Sequence, residues 1–371
     1  MTLGHARDVV SFRAFQSFNM HLSRVLRSNK RAIFENYTRV SKNYLLYIQD
    51  IASYYFHSSN RFLTSLLNSG IAVRRLQNTR EYKKAVGTYP DYLQPTSFTE
   101  KMQYRKLFDH NPLFPVFCDK LAVRDYVKRV SPELRLPELI WYGNEPGDIP
   151  FHTLQPPYVI KPSNSSGHFH KVASAADVDE PAIIQLCHSW LSSPHYARRK
   201  SEWGYLQAKG RILVEEFMKG SKKTAYPPDY KFFILGGRAK FISYCSGRSE
   251  EYSVTYFEPD WTRMPLCSVR KSGPVPTLRE VPRPKHLQDM IRFAERLADG
   301  IDQLRVDLYD IDGDVVFGEL TVYQRSGYWV PCREGVPVTP FPPRDIDNEL
   351  GGEWNLPNIS RPLQIYRGLL G

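Results

Sequence analysis

The chain has 371 residues, 42% of them hydrophobic and 24% charged, a length that divides into at least two packed lobes and a composition that excludes global disorder. Fifty Lys and Arg against thirty-nine Asp and Glu leave a net charge of +11, and no apolar run approaches the roughly 18 residues of a membrane span. The five cysteines are scattered and never form a CxxC pair, which speaks against a disulfide framework or zinc module and suits a reducing cytosol.

Met1 to Val10 includes His5, Arg7 and Asp8 and has no apolar core, so no secretory signal is expected. Residues 1–80 carry twelve basic and three acidic residues, which is +9 of the total charge. Basic character therefore belongs to an N-terminal arm, and the body is nearly neutral. The arm interleaves apolar and aromatic residues, as in Tyr44-Leu45-Leu46-Tyr47-Ile48 and Tyr54-Tyr55-Phe56, and reads as a helical extension over residues 1–90 that ends at Gly87, Pro90 and Pro95. Two readings stay open. Its apolar stripe packs on the body, or its basic face rests on an anionic polymer or on the inner face of the membrane of a cytoplasmic protein. No nucleic-acid partner is expected, because no helix-turn-helix, finger or RNA-binding pattern accompanies the charge.

Residues 97–130 read as helical. Phe98, Met102 and Leu107 share one face, and a second stretch runs from Asp119 to Val130, with Asp119 as cap and Lys120 and Arg124 on one side. From Pro157 the pattern is mixed. Strands are predicted at Tyr158–Lys161, Ile212–Met218, Tyr230–Leu235 and Lys240–Ser246, a helix over 179–192, and a hairpin turn at Gly236-Gly237. Residues 285–299 form an amphipathic helix, with Leu287, Met290, Ile291, Ala294, Leu297 and Ala298 on one face and Gly300 as its stop. Strands Gln303–Ile311 and Val315–Val322 follow, and after Pro331 a Pro/Gly-rich tail is predicted to wrap the body. The fold class is α+β, with units at 1–90, 91–215, 216–345 and 346–371.

Arg305-Val306-Asp307-Leu308-Tyr309 and Phe317-Gly318-Glu319-Leu320-Thr321 flank the turn residues Asp312-Gly313-Asp314. A three-residue loop centred on Gly313 places Asp307 opposite Glu319, Arg305 opposite Thr321 and Tyr309 opposite Phe317. Val306, Leu308 and Leu320 then face a core. A two-residue turn would instead put Asp307 and Glu319 on opposite faces. Facing carboxylates lie roughly 4.5–5.5 Å apart at Cβ and repel, and a divalent cation between them reverses the sign; hard oxygen ligands suit magnesium. Arg305, on the same face, suits a phosphate or a developing oxyanion. The alternative is an exposed hairpin with solvated acids.

Three further segments carry weaker signals. Tyr158-Val159-Ile160-Lys161 runs into Ser163-Asn164-Ser165-Ser166-Gly167-His168, a lysine-ended strand before a small-residue loop, which is a form of phosphate cradle or an ordinary surface loop. Val214-Glu215-Glu216-Phe217-Met218 ends an apolar strand in two acids, as an adenine hinge or as a plain core strand. Lys231 is a lone cation on a strand, placed to reach a phosphate or to snorkel to solvent. No GxxxxGK[ST] or GxGxxG motif is present.

In this order, Pro95-Thr96-Ser97-Phe98-Thr99-Glu100-Lys101, Asp119-Lys120-Leu121-Ala122-Val123-Arg124, Tyr158–Lys161, Val214–Phe217, Asp229-Tyr230-Lys231-Phe232-Phe233, Tyr256 to Trp261, Arg305–Tyr309 and Phe317–Thr321 resemble the TupA-like ATP-grasp family, named after teichuronopeptide biosynthesis. The likeness covers about two-thirds of the chain, from Pro95 to Tyr328. It implies an ATP-grasp fold of two α+β subdomains gripping ATP, with the helical extension outside it. By that resemblance Lys120, Lys161 and Lys231 meet the phosphates of ATP, with Ser165, Ser166 and Gly167 in the phosphate loop. Glu215, Glu216, Phe217 and Met218 line the nucleotide hinge, and Asp307, Glu319 and Thr321 hold Mg2+. Arg305, Lys161 and Lys231 are the implied catalytic residues. Two departures stand out. Asn164 and Ser165 replace the histidine and a glycine of the family loop, and Tyr323-Gln324-Arg325-Ser326-Gly327 replaces its Pro/Gly-Ser-Gly run.

The expected activity is an ATP- and Mg-dependent carboxylate–amine ligase working through an acyl phosphate in surface polysaccharide or peptidopolymer modification. Its partners would be a small-molecule or polysaccharide carboxylate and an amine such as an amino acid. The alternatives are a phosphotransferase of the same fold acting on a sugar hydroxyl, and a nucleotide-binding or membrane-peripheral protein without turnover.

Overall fold

A computed structural model of the chain describes residues 71–92, 94–192, 200–220, 226–247, 251–270, 273–329, 332–337, 341 and 343–356. Most of the basic arm, including the segment that suggested membrane contact, lies outside the described residues. Among those described, no helix is long and apolar enough to cross a membrane.

Helix α1 (Ile71–Val86) ends where Gly87 turns to φ +89°, in the left-handed region that closes helices. Helix α2 (Phe98–Phe108) opens with a capping box. The Ser97 hydroxyl accepts from the Glu100 N–H, and the Glu100 carboxylate accepts from the Ser97 N–H at 3.2 Å. Short α3 (Leu113–Phe117) leads to α4 (Ala122–Val130), whose N-cap is Leu121 and has no side-chain cap; Asp119, the expected cap, lies two residues earlier and accepts from the Leu121 N–H at 2.9 Å.

Two antiparallel sheets follow. The smaller contains β1 (Leu139–Gly143), β2 (Tyr158–Pro162), β3 (His170–Val172) and β4 (Ile212–Glu216) in the order β1-β4-β2-β3. Its core joins Tyr158, Ile160, Ile212 and Val214 to Ile183 and Cys187 of α5 (Glu180–Ser192). Short α6 (Trp203–Gln207) precedes β4. The larger sheet takes β5 (Asp229–Leu235), β6 (Arg238–Ser246), β7 (Ser253–Phe257) and β8 (Arg263–Met264). After the two-residue strands β9 (Leu266–Cys267), β10 (Val269–Arg270) and β11 (Gly273–Pro274) and helix α7 (Leu287–Leu297), it is completed by β12 (Gln303–Ile311) and β13 (Asp314–Thr321). The order is β13-β12-β5-β6-β7-β8.

Helix α7 buries Leu287, Met290, Phe293, Ala294 and Leu297 against this sheet, and Gly300 stops the segment at φ +73°. Helices α2–α4 share the same core through Phe98, Met102, Phe114 and Val127. The residues between 98 and 216 thus divide, the helices serving the larger sheet and 139–216 forming the smaller one. The described residues of the tail pack on the body and carry a helix that composition did not signal. In α8 (Asp345–Glu353), Asp347 accepts from the Thr99 N–H and hydroxyl at 2.8 Å each, and Lys101 donates to the carbonyls of Gly351 and Trp354. β14 (Cys332–Arg333) pairs with β9, setting the buried thiols of Cys267 and Cys332 side by side.

The β12–β13 hairpin corrects one expectation. Its loop is the two-residue Asp312-Gly313, with φ +53° and +94°, the primed turn favoured by Asp-Gly. Ile311 therefore pairs with Asp314, and Leu308, not Tyr309, pairs with Phe317. A β-bulge at Gly318 then shifts the register by one, so that Asp307 pairs with Glu319 and Arg305 with Thr321. The acids meet through a bulge and not through a longer loop. A Cβ at Gly318 would sit 2.9 Å from the Asp307 carbonyl oxygen, so only glycine fits the bulge without displacement.

Candidate active site

The two sheets enclose a cavity of about 440 Å3, within the range of small-molecule sites. The strand-end and hairpin residues singled out from sequence converge on it. Lys120 enters from the turn before α4, Lys161 from β2, Glu215 and Glu216 from β4, Phe217 and Met218 just beyond, Lys231 from β5, and Asp307 and Glu319 from the hairpin. Ser166 and Gly167 line it as well, whereas Ser165 takes part through its carbonyl, which accepts from the Lys120 ammonium.

The apolar and aromatic part of the lining comprises Phe117, Val159, Phe217, Met218 and Tyr226, with the rings of Phe217 and Tyr226 5.5 Å apart. The Lys171 ammonium lies 4.0 Å from the centre of the Phe217 ring and 5.2 Å from that of Tyr226, a cation–π arrangement that fixes these rings. Lys161 is paired with Glu215, whose other oxygen is 4.0 Å from Arg124. Glu216 accepts from Arg135 at 2.8 Å and from the Glu138 N–H at 3.1 Å. These pairs hold the strand-end acids in place.

The densest charge of the site centres on Asp307. Arg305 Nε and Nη2 grip Asp307 Oδ1 and Oδ2 at 2.6 and 2.8 Å, Lys231 Nζ donates to Oδ2 at 2.5 Å, and Arg305 Nη2 also donates to the Thr321 hydroxyl at 2.8 Å. Burial alone would raise the Asp307 carboxyl, yet Arg305 and then Lys231 hold it below the usual range. Burial opposes the charges of Lys231 and Arg305 too, and Asp307 more than offsets it, raising both. Burial lowers Lys120, against the pull of Glu319 and with help from Lys161.

Among the described residues, no ion pair or hydrogen bond engages the Glu319 side chain. An unpaired carboxylate next to one saturated by two cations is a donor set that fits a hard divalent ion: only oxygen ligands are offered, and Asp307 keeps a lone-pair direction that its three donors leave unused. No cluster of three or more His, Cys, Asp or Glu side chains suited to a metal occurs among the described residues, so such an ion would complete its shell with water or phosphate oxygens. Thr321 lies outside the cavity lining, its hydroxyl engaged by Arg305. Arg305 itself opens onto a second, smaller cavity that shares Lys231 with the first.

Sequence reasoning missed Phe117, Lys171 and Tyr226. Of these, Phe117 carried a usable signal, because it sits one short turn before the Asp119-Lys120 helix start. Tyr226 and Lys171 meet only through the fold.

No curated protein sequence matches this chain. Among solved structures, it is similar to D-alanine–D-alanine ligase from Bacillus anthracis, with 17% identity over 56% of this chain and 57% of that one and a TM-score of 0.35. It is similar also to the Helicobacter pylori D-alanine–D-alanine ligase (14%, 65% and 59%, 0.34) and to the ATP-grasp ligase PsnB complexed with its minimal precursor (13%, 57% and 53%, 0.33). The match spans a little over half the length of those structures. The model of the TupA-like ATP-grasp family matches residues 100–353, the stretch that builds both sheets and the cavity between them, and the chain belongs to that family, with the ATP-grasp fold.

Proposed function

We propose that the protein is an ATP- and magnesium-dependent carboxylate–amine ligase. The observation that carries this reading is the convergence of three lysines and two register-paired carboxylates on one cavity that is also lined by aromatic side chains. ATP, a substrate here, would place its base against Phe217, Met218 and Tyr226 and its phosphates by Lys120, Lys161 and Lys231. The lysines offset phosphate charge and orient the terminal phosphoryl group. Asp307 and Glu319 would hold magnesium, which supplies further charge neutralisation to the phosphates when bound.

The acceptor carboxylate forms a C–O–P bond as the terminal P–O bond to ADP breaks. An amine nitrogen then attacks the acyl carbon, a C–N bond forms, phosphate leaves and the amine gives up a proton. No side chain becomes covalently attached. Arg305, held by Asp307 and Thr321 and lining the adjoining smaller cavity, would stabilise the oxygen charge that develops during transfer. The family name supports acceptors from surface polysaccharide or peptidopolymer, with an amino acid as amine.

The test is magnesium-dependent ADP release across acidic acceptors and amines, with hydroxylamine trapping of the acyl phosphate. Glu319→Gln is expected to lower turnover at least about a hundredfold. A stable phosphomonoester product with no trappable acyl group would instead identify a phosphotransferase.

A further inference from the structure

The smaller cavity, about 140 Å3, adjoins the larger one at the Lys231–Asp307–Arg305 cluster, Lys231 lining both. Its floor comes from β5, β6 and β7, its wall from Tyr256 and Trp329, and its rim from the turn Gln324–Gly327. No Asp or Glu lines it, whereas Lys231, Arg305 and Arg325 do. Lys231 and Arg305 are already committed to Asp307. Arg325 is exposed and has no ionic partner among the described residues, so it is the net positive charge that this cavity offers.

The adjoining Gln324 is 1% exposed, lines the same cavity, and has neither its Oε1 nor its Nε2 hydrogen-bonded. A buried amide left unpaired costs about 1–3 kcal/mol. The turn that presents it is strained as well: Arg325 and Ser326 both have positive φ, +44° and +58°. It is nevertheless held firmly. Gln103 donates to the carbonyls of Ser326 and Gly327 at 3.1 and 2.8 Å, Lys106 donates to Ser326 at 3.1 Å, and the Ser326 hydroxyl bonds Glu202. Backbone strain kept in place by three buried polar side chains, beside an unsatisfied amide and an unpaired guanidinium, is the pattern of a preformed ligand site.

We infer that this cavity is the acceptor subsite and that Arg325 and Gln324 select a compact carboxylate there, no larger than a single six-membered ring. The size limit follows from the volume, since a cavity of about 150 Å3 holds a benzene-sized ligand. The carboxylate faces the cationic side by Arg325 and Lys231, next to the phosphate end of the larger cavity. A polar substituent meets the Gln324 amide, and the ring lies against Tyr256 and Trp329, whose indole N–H and phenol hydroxyl are both tied to Ser268. A polymeric acceptor would therefore enter through one terminal unit. This inference rests on the nucleotide reading of the larger cavity.

Calorimetric titrations test it on the protein saturated with magnesium and a non-hydrolysable ATP analogue. The probes are benzoate and D-glucuronate against their neutral counterparts benzamide and D-glucose. At least one acid is expected to bind tenfold or more tightly than its neutral partner. R325G and Q324L should each weaken that binding at least tenfold while leaving analogue affinity within twofold. Both variants should melt at or above the unmodified protein, because one relieves a left-handed non-glycine residue and the other removes the unpaired amide. Neutral probes binding as well as the acids, no binding by either acid, or unchanged acid affinity in both variants would overturn the inference. Failure of the unmodified protein to bind the analogue would overturn the nucleotide reading beneath it, and this one with it.

Discussion

Asp307 and Glu319 face each other across one hairpin but live under different electrostatics. Asp307 is 3% exposed and carries three charge-assisted bonds, so its removal leaves Lys231 and Arg305 facing each other in a low-dielectric site. Asp307→Asn is expected to destabilise the fold by about 3 kcal/mol. Glu319 makes no hydrogen bond or ion pair among the described residues, although its charge favours the buried Lys120 ammonium, and Glu319→Gln should change stability by less than about 1 kcal/mol while lowering turnover at least about a hundredfold. Urea denaturation beside an ADP-release assay separates the two. Equal stability losses would show that Glu319 has a structural task as well.

A second buried pair governs pH dependence. Burial raises the Glu202 carboxyl from 4.5 to about 7, opposed by Lys106 and the Ser326 hydroxyl, and burial lowers the Lys106 ammonium from 10.5 to about 7, opposed by Glu202. The folded state holds an extra proton on Glu202 between about 4.5 and 7, so stability from that group is lost as pH rises through this window. It lacks a proton on Lys106 between about 7 and 10.5, so that contribution is lost as pH falls through its own window. Together they make stability least near neutrality. Denaturation profiles over this range should lose their acid limb in Glu202→Gln and their alkaline limb in Lys106→Met. Parallel profiles for all three proteins would refute the assignment.

At the scale of elements, the β12–β13 hairpin shows what a sequence pattern can and cannot carry. Alternation set Arg305, Asp307, Glu319 and Thr321 apart from Val306, Leu308 and Leu320, but the pairing of the acids was expected from a three-residue loop that the hairpin does not have. The Asp312-Gly313 dipeptide signalled a two-residue loop, which by itself would have separated them. A bulge leaves no periodic trace, and Gly318 gave the only hint. Gly318→Ala should cost about 1–3 kcal/mol and should disturb the Asp307–Glu319 pairing, seen as loss of turnover in a protein that still melts cooperatively. Wild-type activity and stability in that variant would show that the bulge is dispensable.

Helix α7 was legible because its apolar side chains fall on one face. Helix α2 was only half legible, because Arg105 and Lys106 are buried at 0% and 2% by virtue of partners far along the chain, Asp302 and Gln303 for one and Ser326 for the other. Strand β1 escaped notice since Leu139-Ile140-Trp141-Tyr142 is a short apolar run without alternation, although Ile140 and Tyr142 stay exposed.

For the whole molecule, the consequence of this architecture is a division of labour. The smaller sheet brings Lys161 and the Glu215–Met218 segment, the larger sheet brings Lys231, Asp307 and Glu319, and the turn before α4 supplies Lys120. The order of motifs along the chain was visible in sequence; their meeting in one cavity depends on non-local strand pairing. A ligand that touches both sheets stabilises them jointly by mass action, by about 2.7 kcal/mol at a hundred times its dissociation constant.

The most direct measurement is therefore an ATP titration by calorimetry, with and without magnesium, on the unmodified protein, Lys161→Met and Glu319→Gln. The account predicts that magnesium tightens ATP binding to the unmodified protein by roughly tenfold or more, that Lys161→Met weakens binding under both conditions, and that Glu319→Gln binds ATP but loses the magnesium effect. ATP binding indifferent to both substitutions would place the nucleotide elsewhere and contradict the account.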